Sequence, residues 1–458
     1  MTGMDYRCLY APAHFGNTYE VMGPAETQDL LGEARWWGFN TYGDWFDSAD
    51  LKDPAAAAPN VYLLPQAFME QKVRVLSQAA GEGFSICLAI CPNHVWLDQL
   101  AGDLLARSDD PNHIFGQLLC PSNPAARRII LDNHRYLFGL LRQAGVELES
   151  IAAAPYDYGG CACEKCRPWI VTFGRLVQEI HQAAREYFPA IAARLVGWWW
   201  TAQEHACFKE WADSEAPGLF SSLAKHIQYG QTRPQEGMVL PEGCRSHAFV
   251  HIGYADQAQP RDVYGPWGPV AAPHRIPETV RDLAELGATG YMAYSEGCSD
   301  DVNKALLAGL TSGKFGAAQE VLECYAERYF GAAGAARSDW ADWLRQWGRP
   351  FEVDTAAARS QFDRLAPSAR PGWRLAQFEA KLRILEAHND VLSMKGWDAR
   401  RLAAARRFLA EQERLYREVW KLGLVRHVLH PRYHRPAWFK EWQAAGGLPA
   451  GAGMALEA

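Results

Sequence analysis

Eight short apolar runs, separated by stretches long enough for a helix, recur over roughly the first 320 residues; strands spaced this way read as the βαβ pattern. The runs are Arg7–Pro12, Gly38–Phe46, Gly83–Pro92, Leu148–Asp157, Ala193–Trp200, one within Leu219–Gly230, Ser246–Ala255 and Ala288–Gly297. The sixth is the least marked. Amphipathic stretches at about 27–37, 66–80, 125–143, 170–187 and 277–286 stand between them. Strands joined by such connections pair in parallel, because a parallel crossover needs a dozen or more residues. Eight of them, each crossover carrying a helix, predict an α/β chain folded as a (β/α)8 TIM barrel. A doubly wound open sheet would instead want a Gly-rich phosphate turn after the first strand, and "YAPAHFGNTYE" is not one.

From about Leu310 to Trp442 the strands stop, and Leu, Ala and Arg recur at three- and four-residue spacing. The expected division is a barrel over 1–315, an α-helical domain packed on it over 316–445, and a flexible Gly/Ala-rich tail over 446–458.

Composition narrows the partners. The net charge of −7 argues against nucleic acid or an anionic membrane surface, both of which select basic faces. No uninterrupted apolar segment is long enough for a membrane span. The start "MTGMDYRCLYAPAHF" lacks a basic region followed by an apolar core, so no secretory signal is read there. Eleven cysteines, an odd number, fit a reducing compartment, and the expected location is cytoplasmic. The unusual feature is aromatic content: 18 Trp, 18 Tyr and 19 Phe, many beside polar residues. Flat rings among acids and imidazoles suit a small carbohydrate, with rings on the sugar faces and polar groups on the hydroxyls.

In a (β/α)8 barrel the chemistry gathers where strands end. The second run ends at Asp44 and Trp45, the third at His94, and the fourth at Tyr156 and Asp157. The fifth ends in Trp198, Trp199 and Trp200, of which at most two can face the axis. The seventh supplies His251, and the eighth Tyr294 and Glu296. Cleaving a glycosidic bond takes one carboxylic acid for the leaving oxygen and a second carboxylate across the ring. Asp157 and Glu296, on strands four apart around the barrel, are the candidate catalytic pair, as general acid and as nucleophile or base in either order. Asp44, Trp45, His94, Tyr156, Trp199, Trp200, His251 and Tyr294 are the candidate sugar contacts. Against these stand plainer roles: Asp157 as a turn former before Gly-Gly, Asp44 as a loop cap, each histidine as a structural donor. Asp300 and Asp301 read as N-terminal residues of the next helix.

Cys161, Cys163 and Cys166 place three thiols within six residues. They could share a tetrahedral structural zinc, with Cys120 or Cys207 as candidate fourth ligand; free thiols in a reducing cell are the alternative. No cofactor is expected to be needed for catalysis.

The runs "PYDYGGCACEKCRPW", "CPSNPAARR" and "YSEGCSDDVNK" resemble a little-characterised group of (β/α)8 proteins from saccharolytic bacteria. That group is distantly similar to hexosaminidase- and α-glucuronidase-type glycoside hydrolases. The resemblance spans about Arg7 to Phe330, and it implies exo-acting glycoside hydrolysis with strand-four and strand-eight acids in the pocket, followed by a helical domain. One position departs: hexosaminidase-type enzymes carry Asp–Glu at the end of strand four, and here Asp157 precedes Tyr158. The expected function is therefore glycoside hydrolysis of a small oligosaccharide or glycoside. The alternatives are a carbohydrate-binding barrel without turnover and a metal-dependent sugar isomerase or lyase.

Overall fold

The computed structural model describes residues 3–13, 17–46, 64–107, 118–155, 160–253, 267–348, 352–421 and 436–445, with the backbone alone over 64–68. Eight parallel strands close into a barrel in sequence order. They are β1 (Tyr6–Tyr10), β2 (Thr41–Trp45), β3 (Ser85–Ile90), β4 (Leu148–Ala153), β5 (Ala192–Gly197), β6 (Phe220–His226), β7 (Arg245–His251) and β8 (Gly290–Tyr294). All eight expected runs hold a strand. The ring closes by pairing β1 with β8, from Tyr6 opposite Gly290 to Tyr10 opposite Tyr294.

Helices α1 (Pro24–Trp37), α2 (Leu64–Gly81), α3 (Pro124–Gln143), α4 (Trp169–Tyr187), α5 (Ala202–Glu215), α6 (Arg275–Glu285) and α7 (Asp301–Thr311) surround it. Their starts are written locally. Asn123 caps α3 by accepting from the backbone of Ala125 and Ala126, and Thr201 with Glu204 forms a capping box on α5. One expectation fails. The whole β6–β7 connection, residues 227–244, is described and contains no helix. Its two prolines, glycines and polar side chains lack the apolar stripe a helix needs to dock on the sheet.

Strand side chains alternate between two apolar clusters, as a period-2 backbone demands. Leu9, Tyr42, Leu88, Ile151, Leu195, Leu223, Val250 and Tyr291 point outward, into the layer under the helices. Tyr6, Cys8, Tyr10, Trp45, Ala89, Ala152, Val196, Trp198, Ala224, Phe249, Met292 and Tyr294 form the separate barrel interior. At its N-terminal end the interior is polar but closed. Tyr6 stacks on His247 at 4.9 Å, and the Arg194 guanidinium lies 4.2 Å over the same tyrosine ring. Arg194 also pairs with Glu149 at 2.5 Å and donates to Ser222 at 3.1 Å. This end is a structural plug, which leaves the C-terminal end for a site.

Beyond the barrel follow α8 (Ala318–Tyr325), α9 (Ala335–Arg345), α10 (Thr355–Leu365), α11 (Trp373–Ser393), α12 (Ala399–Arg414) and α13 (Phe439–Ala444). They pack on the barrel through α7, every residue of which is buried. A helix apolar nearly all round needs partners on every side. Its Asp301 meets Arg374 of α11 at 2.6 Å and Tyr325 of α8 at 2.8 Å. The expected tail, 446–458, lies outside the described residues.

Candidate active site at the C-terminal mouth

Parallel pairing continues one residue past the strands and fixes what leaves the barrel. Ser295 N–H donates to Tyr10 O at 2.9 Å, Ile252 N–H to Tyr294 O at 3.1 Å, and Ile227 N–H to Phe249 O at 3.1 Å. Above the plug, large and small inward residues are unevenly distributed. Gly43, Ala89, Ala152 and Ala224 are small, whereas Tyr10, Trp45, Trp198, Phe249 and Met292 are large. An eight-stranded barrel is only just filled by its side chains, so alanines on adjacent β3 and β4 leave room. A small pocket results, lined by Ala89, Ala152 and Ala154 together with Trp45, Trp198 and Phe249.

Two imidazoles contact its Trp198 and Phe249 rings. His226 ends β6, His251 ends β7, and their Nε2 atoms are 3.0 Å apart. One donates to the other, so at least one ring holds its lone pair on Nε2 and the pair is not doubly charged. Burial drives the His226 pKa down to about 4 and holds His251 well below the ordinary imidazole value, with the His226 and Arg275 charges adding to the latter effect. Rings enclose the pair: Trp198 at 4.7 Å from His226, Tyr229 at 4.3 Å from His251 and Tyr294 at 5.6 Å from His251. His226, Trp198, Tyr229 and Tyr10 were not among the sugar contacts expected from sequence. The alternation 222-224-226 on β6, parallel to 247-249-251 on β7, carries the signal for the histidine pair.

Glu296 leaves β8 and is 2% exposed. Its backbone N–H donates to Asp300 Oδ2 at 2.7 Å. Asp300 also accepts from Ser295 Oγ at 2.8 Å and pairs with Lys304 at 2.6 Å. Lys304 in turn donates to Gly297 O at 2.6 Å. Asp300 therefore makes no side-chain cap on α7; it turns back to clamp the backbone that presents Glu296. Desolvation and then the nearby Asp44, Cys87 and Glu296 charges push the buried Tyr10 phenol well above its ordinary pKa, so it stays a proton donor.

The expected residues fall into three sets. Trp45, His94, His251, Tyr294 and Glu296 lie at the C-terminal end, with Trp45 and His94 ring centres 6.1 Å apart. Trp199 is there too, 46% exposed, its ring 4.8 Å from His226. Its φ of +57° is a left-handed conformation that costs a bulky residue on the order of 1–2 kcal/mol. That conformation turns its ring out over the mouth. Two expectations are corrected. Asp44 faces outward, because Trp45 takes the inward position beside it, and it forms a buried ion pair with Lys72 of α2 at 3.0 Å. Burial raises the Asp44 pKa despite the opposing pull of that lysine. Trp200 is 2% exposed in the outer core, packed on Phe173 and Phe208, because the left-handed backbone at Trp199 breaks the strand alternation ahead of it. Tyr156 and Asp157 lie outside the described residues.

Near the same face, Cys161, Cys163 and Cys166 are joined by Cys120, the four sulfurs lying within 4.8 Å of one another. Cys207, the other candidate fourth ligand, sits on α5 and is not part of the group.

No protein-family model and no curated protein matches the sequence. What the fold defines is a class: a (β/α)8 barrel with a helical C-terminal region, distantly similar in structure to glycoside hydrolases. The Thermobaculum terrenum O-GlcNAc hydrolase is similar at TM-score 0.47 and 11% identity, over 98% of this chain and 99% of that one. The GH20 catalytic modules of the pneumococcal exo-β-D-N-acetylglucosaminidase StrH give 0.42 and 8%, over 80% and 98%. A GH5 enzyme from Streptomyces cattleya, in complex with GlcNAc, gives 0.41 and 11%, over 68% and 80%.

Proposed function

We propose that this chain is a glycoside hydrolase that removes a terminal sugar from a small oligosaccharide or glycoside. The observation that carries the reading is the company at the mouth. A buried carboxylate, two neutral imidazoles and the rings of Trp199 and Tyr294 gather around a small apolar pocket whose walls include Tyr10, Trp45 and Trp198. Rings supply the apolar faces for stacking, and the imidazoles and Tyr10 supply hydrogen bonds to hydroxyls. Exo action rests on the resemblance read from the sequence, and release of a monosaccharide as the first product from an oligosaccharide would support it.

In this proposal Glu296 is one of the two carboxylates, held by the Asp300–Lys304 clamp. Asp157, two residues past Pro155, is assigned as the other from its sequence position; the alanine-lined wall formed by β3 and β4 lies below that strand's exit. One of the two protonates the glycosidic oxygen as the bond to the anomeric carbon breaks. The other either attacks that carbon or takes a proton from the attacking water.

The test is hydrolysis of a panel of aryl glycosides and oligosaccharides by wild type, Glu296→Gln and Asp157→Asn. Each variant should lose about 10²–10⁴ in kcat/KM while still binding the sugar. Undiminished hydrolysis by Glu296→Gln would remove it from the site. Sugar binding without release by wild type would make the chain a carbohydrate-binding barrel, the reading that Tyr158 beside Asp157 favours. Chelator-sensitive turnover without hydrolysis would make it a sugar isomerase or lyase.

A further inference from the structure

We infer that Cys120, Cys161, Cys163 and Cys166 bind one zinc ion as four thiolates, and that this ion ties the β3–α3 connection to the β4–α4 connection. The geometry matches a filled tetrahedron. Zinc–sulfur bonds of about 2.3 Å place ligand sulfurs roughly 3.8 Å apart. Cys120 Sγ lies 3.8 Å from Cys163 Sγ and 3.7 Å from Cys166 Sγ, and the full set fits within 4.8 Å. Disulfides would draw the sulfurs together in pairs, and all four cysteines are free. A multinuclear iron–sulfur cluster would spread its ligands over several irons, which so compact a set does not allow. Four soft thiolates in a tetrahedron select zinc, or a single iron, over hard cations.

The surroundings are built for the charge. Zinc with four thiolates carries a net −2, which needs hydrogen-bond donors around the sulfurs. Arg107 N–H donates to Cys161 Sγ at 3.4 Å, and Ser122 Oγ lies 3.0 Å from Cys166 Sγ, where its hydroxyl can donate to a thiolate. The backbone brings the ligands in from both connections. Cys120 N–H donates to Leu104 O at 2.8 Å, and Ala162 N–H to Arg107 O at 2.8 Å, so the Leu104–Arg107 segment lies between the two. Cys163 and Cys166 flank a single 3-10 turn, closed by the Cys166 N–H to Cys163 O bond at 3.0 Å.

All four coordination positions are taken by protein, so the ion has no open place for water or substrate and its role is structural. Both connections leave the barrel beside the alanine-lined wall of the pocket. Their cross-link holds that rim in one conformation, and the ion's binding energy becomes folding energy for it. The inference stands apart from the glycosidase reading, since it concerns different atoms and is read out by metal.

Elemental analysis of the purified reduced protein should give about one zinc per chain, and Cys120→Ser or Cys161→Ser should reduce this below about a tenth. Cys207→Ser, outside the cluster, should leave the content unchanged. Should the serine variants not fold, the wild type still decides the matter. Stripped under reducing conditions and loaded with cobalt(II), it should show the intense visible bands of a tetrahedral thiolate site. Titration with a thiol-reactive mercurial should release zinc in step with four thiols. A chain that holds no zinc as isolated and takes up neither zinc nor cobalt would overturn the inference. So would zinc retained in full by Cys161→Ser, or stoichiometric iron in place of zinc.

Discussion

Gly253 shows how closely the candidate site is packed at the level of single atoms. A Cβ built there would stand 2.9 Å from both Cβ and Cγ of Glu296 and 2.7 Å from Asp300 Oδ2. The near end of the Glu296 side chain on one side and the clamped Asp300 carboxylate on the other leave no cheap way to yield. Gly253→Ala is expected to cost ~1–3 kcal/mol of stability and to lower kcat/KM by displacing Glu296. Gly102→Ala, where nothing lies within 4 Å of the added methyl, should stay within about 0.5 kcal/mol of wild type. Thermal melts and steady-state kinetics on the two variants check this, and equal behaviour would mean that Glu296 has room to move. At this scale Glu296 was legible, because a carboxylate at a barrel strand's end is a conspicuous placement. Its clamp was not: Asp300 read as a helix cap, and its turn back toward the Ser295 hydroxyl and the Glu296 N–H depends on Lys304 being drawn in from α7.

Strand β2 and helix α2 carry the correction to Asp44. A buried ion pair of this kind joins a strand to the helix that follows it, and removing one partner strands the other charge in the core. Lys72→Met should destabilise the fold by ~3–5 kcal/mol, and Asp44→Leu combined with Lys72→Met should recover most of that loss. Urea unfolding measures both. If Asp44 contacted sugar instead, the double variant would fold well and fail to bind. The same element-level reasoning separates the three tryptophans. Their order along the chain permits two inward rings, but Trp199 leaves the strand geometry with its positive φ, so Trp198 alone enters the barrel. A run of identical residues contains nothing that foretells where the strand ends, so this was not readable from sequence.

Across the whole molecule, burial holds several imidazoles neutral. His134, His205, His226 and His388 are pushed down to about 4 and His247 to about 3, in each case chiefly by desolvation. An unfolded histidine takes its proton near pH 6.5, so between about pH 6.5 and 4 the unfolded chain binds more protons than the folded one. Stability therefore rises with pH through that window and levels off above it. Acidification from pH 7 to 5 should cost ~1–2 kcal/mol for each such imidazole, visible as a falling melting temperature. A melting temperature constant over that range would contradict the buried, neutral assignment. His388 lies in α11 and accepts from Trp438 Nε1 at 3.1 Å, which places part of this acid sensitivity in the helical region. That region and the barrel share α7, and the Asp301–Arg374 pair crosses between them.

Local physics alone was enough to read the strand and helix rhythm, the barrel it implies, and the residues that stand at its C-terminal end. Period-2 and period-3.6 patterns are written in neighbouring residues, and strand ends follow from them. Tertiary structure decided the rest. It chose Cys120 over Cys207 as companion to the cysteine run, although 41 residues separate Cys120 from Cys161. It paired His226 with His251, turned Asp44 and Trp200 away from the mouth, and left the β6–β7 connection without a helix. Each of these depends on which side chain already fills the adjacent space once the sheet has closed, and that is a property of distant partners meeting, not of any local stretch of sequence.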